Sequence, residues 1–415
     1  MEKICVMGMG YIGLPTACML ANNGYNVLGV DVDNDIISKL SIGQLHIEEP
    51  DLEVTFQKAL NANRLKVSSI LEKSDIYIIA VPTPINKNDK ADLSYVISAS
   101  EMIKDYIMKG NMVILESTSP PGTTRKIVGE IISEGSGLEA GKDFYLAFCP
   151  ERVLPGKIIY ELVNNKRVIG GINERSSELA KKLYGSFVKA DIYLTTLETS
   201  EFVKLAENTF RDVNIALANE FAEICHYYNI NVWDMIKFAN MHPRVNILNP
   251  GPGVGGHCIA IDPWFILENV DKKDTLIEKS RKINNLRPFI ISEKIFNIIK
   301  DIVRPKVTVL GITYKENVGD TRESPALVII DELNKKGIDV SIYDPVVTNY
   351  KGKISNLEEA LKDSDMLLLF VGHDEFKRIS LDKIASLMRS KNIFDTRNFY
   401  SSELLGNSGF KYFGI

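Results

Sequence analysis

Six residues near the N-terminus, Gly8-Met9-Gly10-Tyr11-Ile12-Gly13, restrict the possible folds more than any other feature of the chain. They follow the apolar run Lys3–Met7 and precede the helix-like stretch Leu14–Asn23. A strand, a G-x-G-x-x-G turn and a helix in that order open a dinucleotide-binding unit. The first glycine permits the tight turn, the second lets backbone approach a pyrophosphate, and the third lets helix pack on strand. The pyrophosphate would rest on the helix N-terminus, where unbonded N–H groups and the dipole favour an anion. Gly8, Gly10, Tyr11, Ile12 and Gly13 are therefore candidate cofactor contacts. Asp31 ends the next apolar run, Val27–Val30, 18 residues beyond Gly13. An acid there would hold the adenosine ribose hydroxyls and repel a 2′-phosphate, which favours NAD over NADP. Asp33 is a weaker neighbour, and a structural glycine turn is the alternative for the whole segment.

The rest of the first half continues in the same style. Lys3–Met7, Asn26–Val30, Ile76–Ala80, Met112–Leu115, Phe144–Phe148 and Arg167–Ile169 read as buried parallel strands, separated by amphipathic helices. That alternation predicts a doubly wound sheet covered on both faces. Thr83, in Val81-Pro82-Thr83-Pro84, and Thr118, in Glu116-Ser117-Thr118, fall after strands, at the end of the sheet where ligands bind. Each could equally be a capping hydroxyl.

The pattern changes near Thr196. Leu197–Tyr228 has no Gly or Pro over 32 residues and carries helical periodicity. A further helix is expected at Val232–Ala239, then a Gly/Pro-rich loop at Asn249–Gly256. A helical stretch follows at about Asp274–Ile302, kinked or broken at Pro288. From Lys306 the α/β pattern returns, with strands at Lys306–Leu310, Asp339–Tyr343 and Met366–Val371 and a helix at Ser324–Lys336. The expected organisation is α/β: two Rossmann-like doubly wound domains, 1–196 and 304–415, joined by a helical central region, 197–303, with one long helix.

Bulk properties narrow the class. A chain of 415 residues is too long for one ordinary core. Net charge is 49 − 54 = −5, which gives no reason to expect nucleic acid or an anionic membrane as partner. No signal peptide pattern opens the sequence, and no apolar run approaches the ~20 residues that cross a bilayer. The 5 cysteines are odd in number and lack CxxC spacing, so reduced thiols in a cytoplasm are expected and a zinc cluster is not.

Chemistry is suggested by Gly253-Val254-Gly255-Gly256-His257-Cys258. Glycines before a cysteine allow a ligand close to backbone and thiol, and an ionised thiol is a nucleophile. A buried small hydrophobe is the commoner fate of a cysteine. His257 could be a base or a loop residue. On the long helix, Lys204, Asn208 and Arg211 share one face. A cation, an amide and a second cation suit an oxyanion with phosphate or carbonyl groups, though an ordinary wet face would also read this way. Glu151 and Arg152 follow the strand ending at Phe148. Cys149 there is a rival thiol, with a packing role more natural beside Pro150. His242-Pro243-Arg244 supplies cations from a loop. Asp262, four residues past Cys258, could orient water or a charged partner.

Together these residues resemble the nucleotide-sugar 6-dehydrogenases, the UDP-glucose/GDP-mannose dehydrogenase family. The resemblance rests on Gly8–Gly13, Val81–Pro84, Glu116–Thr124, Cys149–Arg152, Lys204/Asn208, Gly253–Cys258 and Tyr314–Pro325, and it covers nearly the whole chain. Finer runs, Glu207–Asn214, His242–Leu248 and Gly256–Phe265, look like the UDP-N-acetyl-D-mannosamine dehydrogenase branch. Arg211 replaces the Asn that follows the same Phe in many UDP-glucose enzymes, which argues against plain UDP-glucose. The UDP-N-acetylglucosamine enzyme is the near alternative. A one-step NAD hydroxyacid dehydrogenase with a structural Cys258 is the alternative of another class, and a non-catalytic nucleotide-sugar binder is a third.

The resemblance implies a four-electron oxidation of the sugar C6 alcohol to a carboxylate with two NAD, through thiohemiacetal and thioester intermediates on Cys258. It implies that Lys204 stabilises the oxyanion, helped by Asn208 and water near Thr118 and Asp262, and that Glu151 serves thioester hydrolysis. Arg152, Val153, Arg211 and Gly253 would contact the sugar or diphosphate, Tyr314 and Lys315 the UDP, and Arg322 the NAD site. His242 and Arg244 would reach the partner's substrate in a homodimer built on the long helix. No metal is implied.

Overall fold

A computed structural model describes residues 2–415 except 272, 349, 353–355, 402–404 and 407. They form two compact units, 1–207 with 264–271 and 208–263 with 272–415.

The first unit is built on eight strands: β1 (Lys3–Met7), β2 (Asn26–Val30), β3 (Leu65–Ser68), β4 (Ile76–Ile79), β5 (Met112–Leu115), β6 (Tyr145–Phe148), β7 (Arg167–Gly171) and β8 (Ile192–Thr196). Their order is β3-β2-β1-β4-β5-β6-β7-β8. Side chains alternate across the sheet as strand geometry requires. Ile4, Val6, Ile76, Ile78 and Ile114 enter one apolar core, while Cys5, Met7, Tyr77, Ile79 and Leu115 enter another on the opposite face. Two buried faces explain why these strands read as continuous apolar runs.

Three details depart from the sequence expectation. β7 runs antiparallel to β6, pairing Ala147 with Gly171 and Phe148 with Gly170, then parallel to β8. An apolar run marks a buried strand but carries no direction. β3 and β8 were not expected as strands. Both are sheet edges with half-exposed residues, so no apolar run forms.

The helix Leu197–Tyr227 follows β8 and is 31 residues long. Val232–Ala239 forms a helix N-capped by Asn231. It closes a small apolar core with Ala218, Ala222 and Cys225. The helix Leu276–Ile299 continues through Pro288, so of the expected kink or break there is no break. Its later turns, Ile291, Ile295 and Ile299, pack with Val307, Val309 and Ile329.

The second unit's sheet holds β9 (Lys306–Leu310), β10 (Asp339–Tyr343), β11 (Met366–Leu369), β12 (Asn392–Asp395) and β13 (Lys411–Gly414). It is parallel throughout, in the order β10-β9-β11-β12-β13. Pro325–Lys335 supplies the helix after β9, with Pro at its start, where the missing N–H is no loss. Among the described residues no helix is long and apolar enough to cross a membrane.

Candidate functional site

The glycine turn follows β1 directly. Gly8 has φ +92°, and its N–H donates to Val30 O at 2.8 Å. A Cβ on Gly8 would lie 2.5 Å from Ala80 O, and one on Gly13 would lie 1.8 Å from Gly8 O. Both positions therefore exclude any side chain. A Cβ on Gly10 would meet nothing within 4 Å, so this glycine borders open space instead. The helix Gly13–Asn22 has no side-chain cap and no acid in its first turn. The Leu14 N–H donates back to Gly10 O at 3.2 Å and Pro15 has none, so the N–H groups that suit an anion are those of the turn up to Gly13, and the open cradle at Gly10 fits a pyrophosphate.

Asp31 sits at the end of β2. Its Oδ2 accepts the Met9 N–H at 2.7 Å and its Oδ1 accepts the Asp33 N–H at 3.0 Å. The carboxylate is thereby fixed beside the glycine turn. Asp33 instead caps the next helix, accepting from Asp35 and Ile36. The Thr83 hydroxyl donates to Thr118 O at 2.6 Å, and the Ser117 hydroxyl donates to Val81 O at 2.7 Å. These bonds bind the 81–84 and 116–118 segments together at the sheet's carboxyl end.

Beneath them lies a polar cluster that the sequence did not reveal. The Arg167 guanidinium is buried, donates to Glu151 Oε2 at 2.9 Å and to Cys149 Sγ at 3.4 Å, and lies over the Tyr184 ring. The Tyr184 hydroxyl donates to Glu116 Oε1 at 2.5 Å. Burial pushes the Glu116 carboxyl up to about 7, against the pull of Arg167. Burial likewise pushes the Cys149 thiol up to about 12, so the rival thiol stays protonated inside the core. Glu151 also accepts the Arg152 N–H, at 2.6 Å. The Arg152 guanidinium pairs with Glu207 and donates to Lys166 O. Val153 packs against the core. Lys204 is only 8% exposed and forms no ion pair among the described residues.

In the second unit, the Asn208 side-chain N–H donates to the Asp262 carboxylate, and both residues are buried. Arg211 donates to the Asn208 side-chain oxygen from the helix surface. Three sequence candidates are therefore brought into one chain of bonds. Asp262 is further tied to Cys258, whose carbonyl accepts the Ile261 and Asp262 N–H groups at 3.1 and 2.9 Å. Cys258 is exposed, whereas Cys5, Cys18, Cys149 and Cys225 are buried.

The glycines before Cys258 serve the protein's own packing. A Cβ on Gly255 would lie 2.4 Å from Glu323 O, and one on Gly256 would lie 2.8 Å from the Tyr314 ring. Gly256 also has φ +82°. The segments around Tyr314 and Glu323 thus approach these glycines closely. Gly253 fits between Pro288 and Pro325, each of which would come within 3.1 Å of a Cβ at this position. Arg322 pairs with Asp320, and burial with the Arg322 charge lowers the His257 imidazole below its ordinary range. Lys315 is half-buried. The His242 and Arg244 side chains are exposed and meet each other at 3.4 Å.

Three residues around this loop were missed. Asn219 and Arg287 clamp Gly251: Asn219 Oδ1 accepts its N–H at 2.9 Å, and Arg287 Nε donates to its carbonyl at 3.1 Å. Arg397 lies 3.2 Å from where a Gly251 Cβ would be, and burial lowers its guanidinium below the ordinary arginine range. The signal for Asn219 was present, since a mid-helix Asn without a bonding partner is unfavourable. Arg397 carried no such signal. Among the described residues no group of three His, Cys, Asp or Glu could hold a metal.

Comparison with known proteins supplies the remaining identification. Three domain models of the UDP-glucose/GDP-mannose dehydrogenase family match: the NAD binding domain over residues 2–188, the central domain over 198–286 and the UDP binding domain over 308–402. The UDP-N-acetyl-D-mannosamine dehydrogenase of Methanococcus vannielii is 49% identical, covering 99% of this chain and 96% of its own. The solved structure of the UDP-D-ManNAc dehydrogenase from Pyrococcus horikoshii superposes with TM-score 0.93 at 43% identity, covering 100% of this chain and 99% of that one. That of the Staphylococcus aureus UDP-N-acetyl-mannosamine dehydrogenase gives TM-score 0.91 at 45% identity, covering 100% and 98%. The glycine cradle with Asp31, the Asn208–Asp262 pair beside Cys258 and these matches lead to one conclusion: the chain belongs to the UDP-glucose/GDP-mannose dehydrogenase family, the NAD-dependent nucleotide-sugar dehydrogenases.

Proposed function

We propose that this chain is a UDP-N-acetyl-D-mannosamine 6-dehydrogenase, which oxidises the sugar C6 alcohol to a carboxylate through covalent intermediates on Cys258. One observation carries the reading: the exposed Cys258 is joined by a backbone turn to Asp262, which holds the buried Asn208 amide. The relatives named for this activity support the choice of sugar. NAD, when bound at Gly8–Gly13 and Asp31, supplies the hydride acceptor for each of two oxidations.

The chain's own residues would do the rest. Lys204 offers an ammonium with no carboxylate partner among the described residues, suited to hold the C6 oxygen as negative charge develops, while the alcohol proton leaves to the water ordered by Asp262. Asn208 has a second N–H to offer the same oxygen. An aldehyde has no hydride to give until a nucleophile adds to its carbonyl. The Cys258 thiolate forms that C–S bond, and the adduct's C–H becomes the second hydride source. The resulting thioester is then opened by water, which returns the thiol and releases the carboxylate. Glu151 is the base for that step, oriented by Arg167. Asp262 and Thr118 order the water.

Arg152, Val153, Arg211 and Gly253 would contact the sugar or diphosphate, Tyr314 and Lys315 the uridine end, and Thr83 and Arg322 the cofactor. Arg397 joins them as a cation for the diphosphate. We further propose a homodimer in which His242 and Arg244 reach the partner's substrate. Exposed Phe210, Leu217 and Ile224, spaced by seven along the long helix, support such an interface. The division into 1–196, 197–303 and 304–415 is supported by the three separate family models. A cytoplasmic location is supported by the odd cysteine count.

The test is a panel of UDP-N-acetylmannosamine, UDP-N-acetylglucosamine, UDP-glucose and GDP-mannose, read by NADH absorbance and product mass. The highest kcat/KM is expected for UDP-N-acetylmannosamine. A higher value for another sugar reassigns the substrate.

A further inference from the structure

We infer that Glu201 is a positioning residue that locks the segment carrying Thr118 onto the helix carrying Lys204. The inference rests on the roles proposed above for those two residues. Glu201 lies three positions before Lys204 on the helix Leu197–Tyr227, so the two are neighbours on its surface. It is 0% exposed. Its Oε2 accepts the Gly122 N–H at 2.6 Å. Its Oε1 accepts the Thr124 N–H at 2.8 Å and the Thr124 hydroxyl at 2.6 Å.

The three donors lie at and just before the start of a helical turn, Thr124–Gly129, which continues into the helix Glu130–Ser136. The first N–H groups of a helix have no partner within it, and a carboxylate answers both their bonding need and the dipole. Here the carboxylate comes from a residue 77 positions away from Thr124. Gly122, at φ +94°, provides the left-handed turn that aims these N–H groups at it. Glu198, whose charge acts on Glu201, and Arg125, on which the Glu201 charge acts, pair with each other. They compete for none of the three bonds.

Thr118 is four residues before Gly122. Its carbonyl takes the Thr83 hydroxyl at 2.6 Å, so the segment is fixed at one end by the 81–84 loop and at the other by Glu201. Displacing a reacting geometry by ~1 Å can cost on the order of 100-fold in rate. Only a carboxylate accepts on both oxygens. A glutamine in the same place turns an N–H₂ group toward one of the N–H donors and breaks the arrangement without changing its volume.

The experiment compares Glu201→Gln, Thr124→Val and Thr118→Ala in the full-length enzyme, with folded protein counted by NAD-binding stoichiometry. Expected for Glu201→Gln is a fall in kcat of about 10–100-fold, with KM for the UDP-sugar within about 3-fold of wild type. Thr124→Val removes one of the three bonds and should lower kcat by a smaller factor. A wild-type kcat in folded Glu201→Gln overturns the inference. If that variant does not fold, an unchanged kcat in Thr124→Val overturns it instead. A wild-type kcat in Thr118→Ala shows that the role of Thr118 is wrong, a failure distinct from one confined to Glu201.

Discussion

The Asn208 amide is held by the Asp262 carboxylate, with Asn208 0% and Asp262 3% exposed. A buried carboxylate that orients a buried amide fixes which way the remaining N–H points. Asp262→Asn removes the charge and lets the Asn208 amide flip, because the new amide can donate as well as accept. The expected result is a kcat lower by about 10²–10³-fold, the cost of removing one aimed donor, with modest change in KM. Steady-state NADH production measures it.

The covalent route produces two NADH per sugar consumed. Cys258→Ser should keep UDP-sugar binding and lose net carboxylate formation. Mass analysis of product after exhaustive turnover decides the point, and wild-type carboxylate output from the variant would refute the covalent role.

Glu116 predicts a pH signature of stability. Its carboxyl lies near 4.5 in the unfolded chain and about 7 in the folded one. Between those values the unfolded chain has released the proton and the native chain has kept it. Stability therefore falls as pH rises through this window, by on the order of 1–3 kcal/mol for this group. Glu116→Gln should flatten the Tm-versus-pH curve over the same window relative to wild type. Parallel curves for the two proteins would show that the group does not titrate as described.

Arg281 and Asp212 form a buried ion pair at 2.5 Å, with side-chain exposures of 3% and 0%. Asn284 donates to the same carboxylate at 2.8 Å. Asp212→Ala strands the Arg281 charge and should destabilise by about 3–5 kcal/mol. Urea unfolding of the variant measures this. Replacing both partners by apolar residues should cost much less.

If Arg244 works on the partner's substrate, mixing inactive Arg244→Ala and Cys258→Ala proteins should restore part of the activity through mixed dimers. Activity that stays at the level of the separate variants would place Arg244 in its own subunit's site or in neither.

Much of the fold was legible because its signals are local. Each fingerprint glycine has a nearby reason, at Ala80, at Gly8 or in open space. The central strands were legible because both their faces are buried. The edges β3 and β8 were not, since half-exposed strands carry mixed sequence. Strand direction at β7 was not, because an apolar run reads the same both ways. In the site, Asn208 stood out as the amide between two cations on one helix face, and Asp262 lay close to Cys258 in sequence. Glu201 and Arg167 did not stand out, since their meaning lies in partners 77 and 16 residues away. Arg152 was visible as a cation, but not its engagement by Glu207.

The uneven burial of the cysteines has a practical consequence. Desolvation raises Cys5 and Cys149 to about 12 and Cys18 further still, while Cys258 alone among the five is exposed. A thiol-selective alkylating reagent at neutral pH therefore meets one accessible thiol per chain. The native protein carries a single-site label at its proposed reactive centre, without engineered cysteine removal. Attachment of one probe per chain would let occupancy of the neighbouring ligand site be followed as protection of that sulfur.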